Sequence, residues 1–304
     1  MSVLNIVDVS AVMRTNYVEV PTEEELAAIK KQDEALKAQG KKPRFRKMVM
    51  THPVGDKVVN TSAMYGLFRL ISRFGTDDDY VFCYDTPQNF LKMDNPTYKA
   101  GRKKPKSDYY DQLNKTRKIL EDCNFKVLSK DGYEADHFIV YAHDQLKKYY
   151  DEVRVITNDK DLSVCVDEKT VWTNVIQSRG DITYDTYEEK LACPYNAIRL
   201  KKALVGDQSD NIMGVHRFGE AKFRNFILDN GLDRENIYGR EKEIILGSSL
   251  TDEQKLQALD ALNLVMPLEV PNTDVTISEQ DFERLGKYCK KYGMKSLLKV
   301  FNKE

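Results

Sequence analysis

Short apolar runs that end in an acid, separated by helix-length amphipathic stretches, constrain this chain more than any other feature. Residues 3–9 carry Asp8, residues 80–84 run into Asp85, and residues 153–157 lead to Asp159 and Asp161. Runs of that length read as buried strands. Residues 125–128 read as another, and 171–175 as a candidate fifth. Between them, Met64, Leu67, Phe68 and Ile71 fall at helical spacing behind a Thr61 or Ser62 cap. Leu113, Thr116, Ile119 and Leu120 do the same, as do Phe138, Ile139 and Ala142 behind Glu134. Strands alternating with helices predict an α/β fold, with a mostly parallel central sheet, right-handed crossovers and flanking helices. In such a sheet, side chains at the carboxyl ends of strands converge on one edge.

That edge collects acids. An aspartate ending a buried strand needs a partner, and no lysine or arginine lies near Asp8 or Asp85 in sequence. The other acids each have an ordinary explanation. Glu134 and Asp136 open a helix, where acids complement the dipole. Asp159 is placed to cap the next helix, and Asp161 shares its side of an extended segment. Asp207 and Asp210 stand in a turn-rich stretch, residues 206–211. Taken together, the eight form a concentration of like charge that raises each member's pKa and that divalent cations relieve. All-oxygen ligands favour Mg²⁺, with Mn²⁺ able to substitute. Two such ions are the usual apparatus for phosphodiester hydrolysis, so the acids point to a metal-dependent nuclease.

Composition narrows the setting. The 304 residues are 41% hydrophobic and 31% charged, enough for a substantial core, and the formal net charge of −1 gives no global basic signature. Any attraction for nucleic acid is therefore local, in the basic runs 41–47 and 102–106. Either run is also an ordinary solvated surface. The five cysteines lack CxxC spacing, which argues against a disulfide frame or zinc site. No apolar segment is long enough to span a bilayer and the first residues lack a secretory pattern. The expectation is a soluble, cytoplasmic protein without a membrane partner.

The ordered motifs resemble the 5′-nuclease superfamily of flap endonucleases and bacteriophage 5′-to-3′ exonucleases, and within it are similar to the T-even phage ribonuclease H. They are Ile6-Val7-Asp8, Tyr84-Asp85, Tyr98-Lys99-Ala100-Gly101-Arg102, Glu134-Ala135-Asp136, Thr157-Asn158-Asp159-Lys160-Asp161-Leu162 and Gly206-Asp207-Gln208-Ser209-Asp210-Asn211-Ile212. The resemblance runs to about residue 230. It implies that Asp8, Asp85, Glu134, Asp136, Asp159, Asp161, Asp207 and Asp210 hold two metal ions. Lys99 and Arg102 would hold the scissile phosphate. Residues 90–130 would form an arch that admits a single-stranded 5′ end, with Lys92, Lys103 and Lys104 on the DNA track. Tyr98, Tyr109 and Tyr110 would serve base stacking or structure. Residues 214–223 resemble a helix–hairpin–helix-type grip on duplex DNA. There Gly214, Val215, Arg217, Gly219 and Lys222 would meet phosphates, with K⁺ as a candidate loop ion and Gly219 taking the φ > 0 turn.

Three departures stand out. His137 replaces an acid common in the family, Lys222 falls one place later than the usual lysine, and Lys92 is the candidate stand-in for an arginine expected before the Tyr-Lys pair. The implied organisation is a catalytic core over residues 1–190, with an insertion at about 19–57 that extends the DNA track or binds a replication partner. A helical DNA-binding region, 191–262, comes next, and then a C-terminal segment, 263–304, that packs back on the core. The implied partners are DNA with a 5′ flap or 5′ end, an RNA–DNA duplex, and replication proteins such as a single-strand-binding protein; the protein would be a monomer, in the host cytoplasm if phage-encoded. Two rival readings remain open: a flap- or junction-binding module that does not cut, and a PIN-like ribonuclease.

Overall fold

A computed structural model describes residues 1–42, 49–99, 101, 105–233, 236–237, 239–265 and 268–301. Seven strands occur among them: β1 (Val3–Asp8), β2 (Thr51–Val54), β3 (Lys57–Asn60), β4 (Asp79–Cys83), β5 (Lys126–Leu128), β6 (Glu152–Thr157) and β7 (Thr170–Asn174). Five make one sheet in the order β5-β4-β1-β6-β7, and every neighbouring pair is parallel. β2 and β3 form a separate antiparallel hairpin. The expected α/β architecture is thus present, and all five expected strands lie in its sheet.

The chain divides into two compact units. The first comprises Met1–Val12, Asp77–Lys104 and Asn124–Gln280 and contains the whole parallel sheet. β1 is its centre, and each of its six residues is buried. Leu4 and Ile6 of β1 join Val81, Val153 and Val155 of its neighbours in one apolar cluster. The helix Ala135–Leu146 adds Phe138, Ile139 and Ala142, spaced as one helical face. Burying a side chain such as Phe138 contributes about 2–3 kcal/mol. Strands are added to one side of β1 and then to the other, so the chain reverses direction of growth beside β1. In open parallel sheets a crevice for ligands forms at that reversal, outside the carboxyl ends of the strands. Asp8 ends β1, Asp85 lies two residues past β4, and Asp159 two residues past β6.

The same unit carries the helices Ile198–Val205 and Glu220–Asp229 around the loop 206–219. Asp207 and Ile212 pair across that loop, with N–H···O distances of 2.9 and 2.8 Å. Gly214 has no room for a side chain, since a Cβ would lie 2.3 Å from the Gly206 nitrogen and 2.6 Å from the Leu204 oxygen. We expect Gly214→Ala to cost about 1–3 kcal/mol through this overlap with rigid backbone. Thermal unfolding of the variant checks it, and an unchanged midpoint would show that the loop gives way freely.

The second unit comprises Met13–Thr76, Pro105–Cys123 and Asp281–Glu304. Its helix Glu23–Ala38 starts with a reciprocal cap: Thr22 Oγ1 accepts from Glu25 N–H at 3.2 Å, and Glu25 Oε2 accepts from Thr22 N–H at 2.8 Å. No residue of this helix is buried. The β2–β3 hairpin comes after it in the chain. The helix Ser62–Phe74 buries Met64, Leu67, Phe68 and Ile71, as their spacing predicts. In Ser107–Asp122, Thr116, Ile119 and Leu120 are buried, whereas Leu113 is only partly so. No helix among the described residues is long and apolar enough to cross a membrane.

Candidate metal centre

Each strand-end acid is fixed by a main-chain or hydroxyl donor from another element. Asp8 Oδ1 accepts from Ala11 N–H at 2.9 Å and so caps the helix Val9–Asn16, while Oδ2 accepts from the Thr157 hydroxyl at 2.7 Å. The Thr157 oxygen in turn accepts from Asp159 N–H at 3.0 Å, tying the end of β6 to that of β1. Asp85 Oδ1 accepts from Ala135 N–H at 2.9 Å, which sets the start of the helix Ala135–Leu146 against the end of β4. That contact brings Glu134 and Asp136 to the same edge. Asp159 Oδ1 accepts from Asp161 N–H at 2.9 Å, and the Trp172 indole donates to the Asp159 carbonyl at 2.7 Å. The ordinary capping explanation for Asp159 therefore holds alongside its place in the cluster. Carboxylate oxygens of Asp159, Asp161 and Asp210 lie within 4.8 Å of one another.

Two lysines enter this acidic edge. Lys99 Nζ donates to both oxygens of Glu134, at 2.9 and 3.0 Å, and stands 4.0 Å from Asp210 Oδ2. The Tyr98 hydroxyl donates to Glu134 Oε2 at 3.1 Å. Lys99 holds a left-handed backbone, φ 54°, and its N–H donates to the Asp210 carbonyl at 3.1 Å. A non-glycine residue in that region stores strain, repaid here by the contacts of its ammonium. Lys202, from the helix Ile198–Val205, pairs with Asp161 Oδ1 and, at 2.5 Å, with Asp207 Oδ2. Asp207 also accepts from the Ser209 N–H and hydroxyl, at 2.8 and 2.7 Å.

Burial sets the protonation. It pushes the Asp8 carboxyl up to about 7, and the charges of Asp85 and Asp159 add to the effect, partly offset by the Ala11 and Thr157 donors. Burial, then Asp159, likewise pushes Asp161 up to about 7 against the opposing pull of Lys202. Asp136 is raised well above the usual carboxylate range by burial and by Glu134, Asp159 and Asp85, with Lys99 opposing. Asp207 is lowered: burial raises it, but the Lys202 and Ser209 hydrogen bonds prevail. Lys99 and Lys202 are both raised, because the surrounding carboxylates outweigh the burial that disfavours an ammonium.

The expected basic residues divide. Lys99 is 8% exposed and neutralised by Glu134, not part of a solvated loop. Arg102, Lys103, Lys104 and the side chain of Lys92 lie outside the described residues, as does 43–47 of the first basic run. Gly214 and Val215 are packed in the loop between the two helices, whereas Arg217, Gly219 and Lys222 are exposed. The expected φ > 0 at Gly219 is wrong: Gly219 is extended, φ −98°, and Arg217 takes the left-handed position at 55°. With Gly214 seated against Gly206, the chain turns two residues earlier than the Gly spacing suggests. Base stacking by Tyr98 and Tyr109 does not fit either, for both are buried, and Tyr109 packs edge-on against Tyr17 at 5.3 Å. Tyr110 is 41% exposed. His137 is buried, and its Nδ1 accepts from Glu134 N–H at 3.2 Å. Burial, with Lys99 nearby, pushes its imidazole down to about 4, so it stays neutral.

Thr157, Trp172 and Lys202 are functional candidates that sequence reasoning missed. For Lys202 a signal existed, a lysine on an amphipathic helix five residues ahead of Asp207, and Thr157 opens the motif that contains Asp159 and Asp161; Trp172 carries none. The donor set fits a hard divalent cation. It is all oxygen, several of its members are buried where ionisation is opposed, and Lys99 and Lys202 offset only part of eight potential charges.

The chain is similar to known 5′-3′ exonucleases and DNA polymerases I. A family model described as the 5′-3′ exonuclease, N-terminal resolvase-like domain, matches residues 41–192. A DNA polymerase I from Caldicellulosiruptor bescii is 30% identical over 261 residues, 79% of this chain and 30% of that protein. The chain thus spans less than a third of the length of this relative. A 5′-3′ exonuclease from Buchnera aphidicola subsp. Schizaphis graminum is 25% identical over 251 residues, 76% of this chain and 86% of that one. Among solved structures, a bacteriophage T5 flap endonuclease in a complex with DNA and metal ions shares the fold. Its TM-score is 0.52 at 17% identity, covering 99% of this chain and 97% of that chain.

Proposed function

The chain belongs to the 5′-3′ exonuclease family, through its N-terminal resolvase-like domain, and on that premise we propose that it is a divalent-metal-dependent 5′ nuclease. The observation that carries the proposal is the acidic edge at the switch point of the sheet, where carboxylate oxygens of Asp159, Asp161 and Asp210 lie within 4.8 Å of one another and Asp8, Asp85, Glu134, Asp136 and Asp207 interact electrostatically with neighbouring acids. A surface that only bound nucleic acid would gain nothing from so much negative charge facing phosphate. The acids of this edge would hold divalent cations, Mg²⁺ in our reading, which when bound would supply Lewis-acid stabilisation of the phosphate and a more acidic water.

The chain's own residues do the rest. Asp8 and Asp159, fixed through Thr157, and Asp85, fixed through Ala135, present oxygens from three strand ends without needing to reorganise. Such pre-set positions are what a charged transition state requires. Lys99 provides the positive charge that meets the scissile phosphate, and Glu134 holds it ready inside the cluster. No protein nucleophile is needed. The five cysteines are buried, and burial together with Asp8 raises the Cys83 thiol well above its ordinary value. Hydrolysis adds water to phosphorus and breaks the bond to the 3′ oxygen. The loop 206–219 and its flanking helices hold the duplex, with Arg217 and Lys222 exposed for phosphate contacts.

The substrates we assign are 5′ flaps and 5′ ends of DNA or RNA–DNA duplexes. The test offers a labelled 5′-flap duplex, an RNA–DNA duplex and a single-stranded RNA, each with and without Mg²⁺. Mg²⁺-dependent cutting at the flap junction or from the 5′ end is expected. Preferential cutting of the single-stranded RNA would favour a PIN-like ribonuclease, and tight flap binding without nicking a recognition module.

A further inference from the structure

We infer that Lys202 is an internal counter-ion that stands in for a cation at Asp161 and yields that carboxylate when a cation binds. The inference rests on the metal-dependent reading of the acidic edge and adds a regulatory residue to it.

The ammonium of Lys202 bridges Asp161 Oδ1 and Asp207 Oδ2. Asp161 is at the same time one of the three acids whose oxygens converge within 4.8 Å. The same carboxylate therefore serves two claimants, a lysine from the helix side and a cation from the cluster side. An oxygen engaged at short range by an ammonium is a poorer donor to a metal, and a second positive charge beside it repels the incoming ion. Occupancy by Lys202 has a benefit in the metal-free protein, where Asp159, Asp161 and Asp207 would otherwise repel one another without relief.

Lys202 differs in this from Lys99, which is held by Glu134, and from its neighbour Lys201, which pairs with the half-exposed Glu220 at 3.1 Å. Lys201 carries the same charge on the same helix without entering the acids, so it serves as an internal control for charge acting at a distance. A lysine released from Asp161 keeps Asp207 as a partner, so displacement need not leave a buried ammonium unpaired.

The test is Mn²⁺ binding without nucleic acid, measured by calorimetry and by the loss of the free-ion electron paramagnetic resonance signal. It uses the full chain, the variants Lys202→Met, Lys202→Gln, Lys202→Arg and Lys201→Met, and Asp159→Ala as a site control. We expect Lys202→Met and Lys202→Gln to tighten the weaker Mn²⁺ site about tenfold. Lys202→Arg, which keeps the charge, and Lys201→Met should stay within about twofold of the parent. The Gln variant retains a donor for Asp161, so it remains informative if Met prevents folding. Unchanged or weaker binding in both neutral variants would overturn the inference, as would equal tightening by Lys201→Met. If the parent chain binds no Mn²⁺, or Asp159→Ala binds it equally well, the metal-dependent reading itself falls, and the inference with it.

Discussion

Metal-free protein is expected to lose thermal stability between about pH 4 and pH 7, and to regain it when Mn²⁺ or Mg²⁺ is added. The sign comes from the raised carboxyls. In the unfolded chain Asp8 and Asp161 release their protons near the ordinary carboxylate value of 3.8, whereas in the fold they keep them to about 7. Between those values the folded state binds more protons than the unfolded one, so stability falls as pH rises and levels off above the folded value. The shift on Asp8 alone corresponds to about 4 kcal/mol, and Asp136 acts in the same direction. Asp207 acts oppositely, but its lowered carboxyl changes protonation below its ordinary value, outside this window, whereas His137, lowered from 6.5 to about 4, offsets part of the loss within it. A bound cation favours the ionised forms and removes the penalty. Thermal unfolding with chelator and with Mn²⁺, at several pH values, checks both halves. A midpoint that rises with pH in chelator would refute the argument, as would one that ignores the ion.

Lys99→Ala should reduce cleavage by about a thousandfold at saturating Mg²⁺ while leaving the ion-bound protein folded. The ammonium is the positive charge among Glu134, Asp136 and Asp210, and its removal leaves buried carboxylates uncompensated in the metal-free state. Breaking such a buried pair costs about 3–5 kcal/mol. Divalent cation should restore most of that stability, because it supplies charge to the same acids. It should not restore cleavage, because the lost group is the one that meets phosphate. Single-turnover rates and thermal unfolding on the same preparation separate the effects. A rate within about threefold of the parent would remove Lys99 from the reaction.

The strand ends were legible because a buried strand leaves a short apolar run and an acid at its end is costly without a reason, so Asp8, Asp85 and Asp159 mark themselves. The helix faces around Met64 and Phe138 were legible for the same reason, since burial imposes a period. What stayed hidden depends on contacts between elements distant in the chain. Thr157 holds Asp8 across 149 residues, and Trp172 fixes Asp159 from the next strand. Lys99 was legible from its motif, but not its inward course, which a left-handed backbone and the Asp210 carbonyl set. The left-handed turn fell on Arg217 rather than Gly219 because Gly214 is spent on its close approach to Gly206. Spacing alone cannot say which glycine serves contact and which serves curvature.

The central claim is that the acids at the strand ends bind the metal that drives phosphodiester cleavage. Cutting of a 5′-labelled flap duplex by the parent chain and by Asp159→Ala, with Mg²⁺ and with chelator, tests it most directly. The account predicts Mg²⁺-dependent cutting at the junction or from the 5′ end, lost in Asp159→Ala although that variant remains folded. Cutting at the parental rate by Asp159→Ala, or by the parent in chelator, would contradict it.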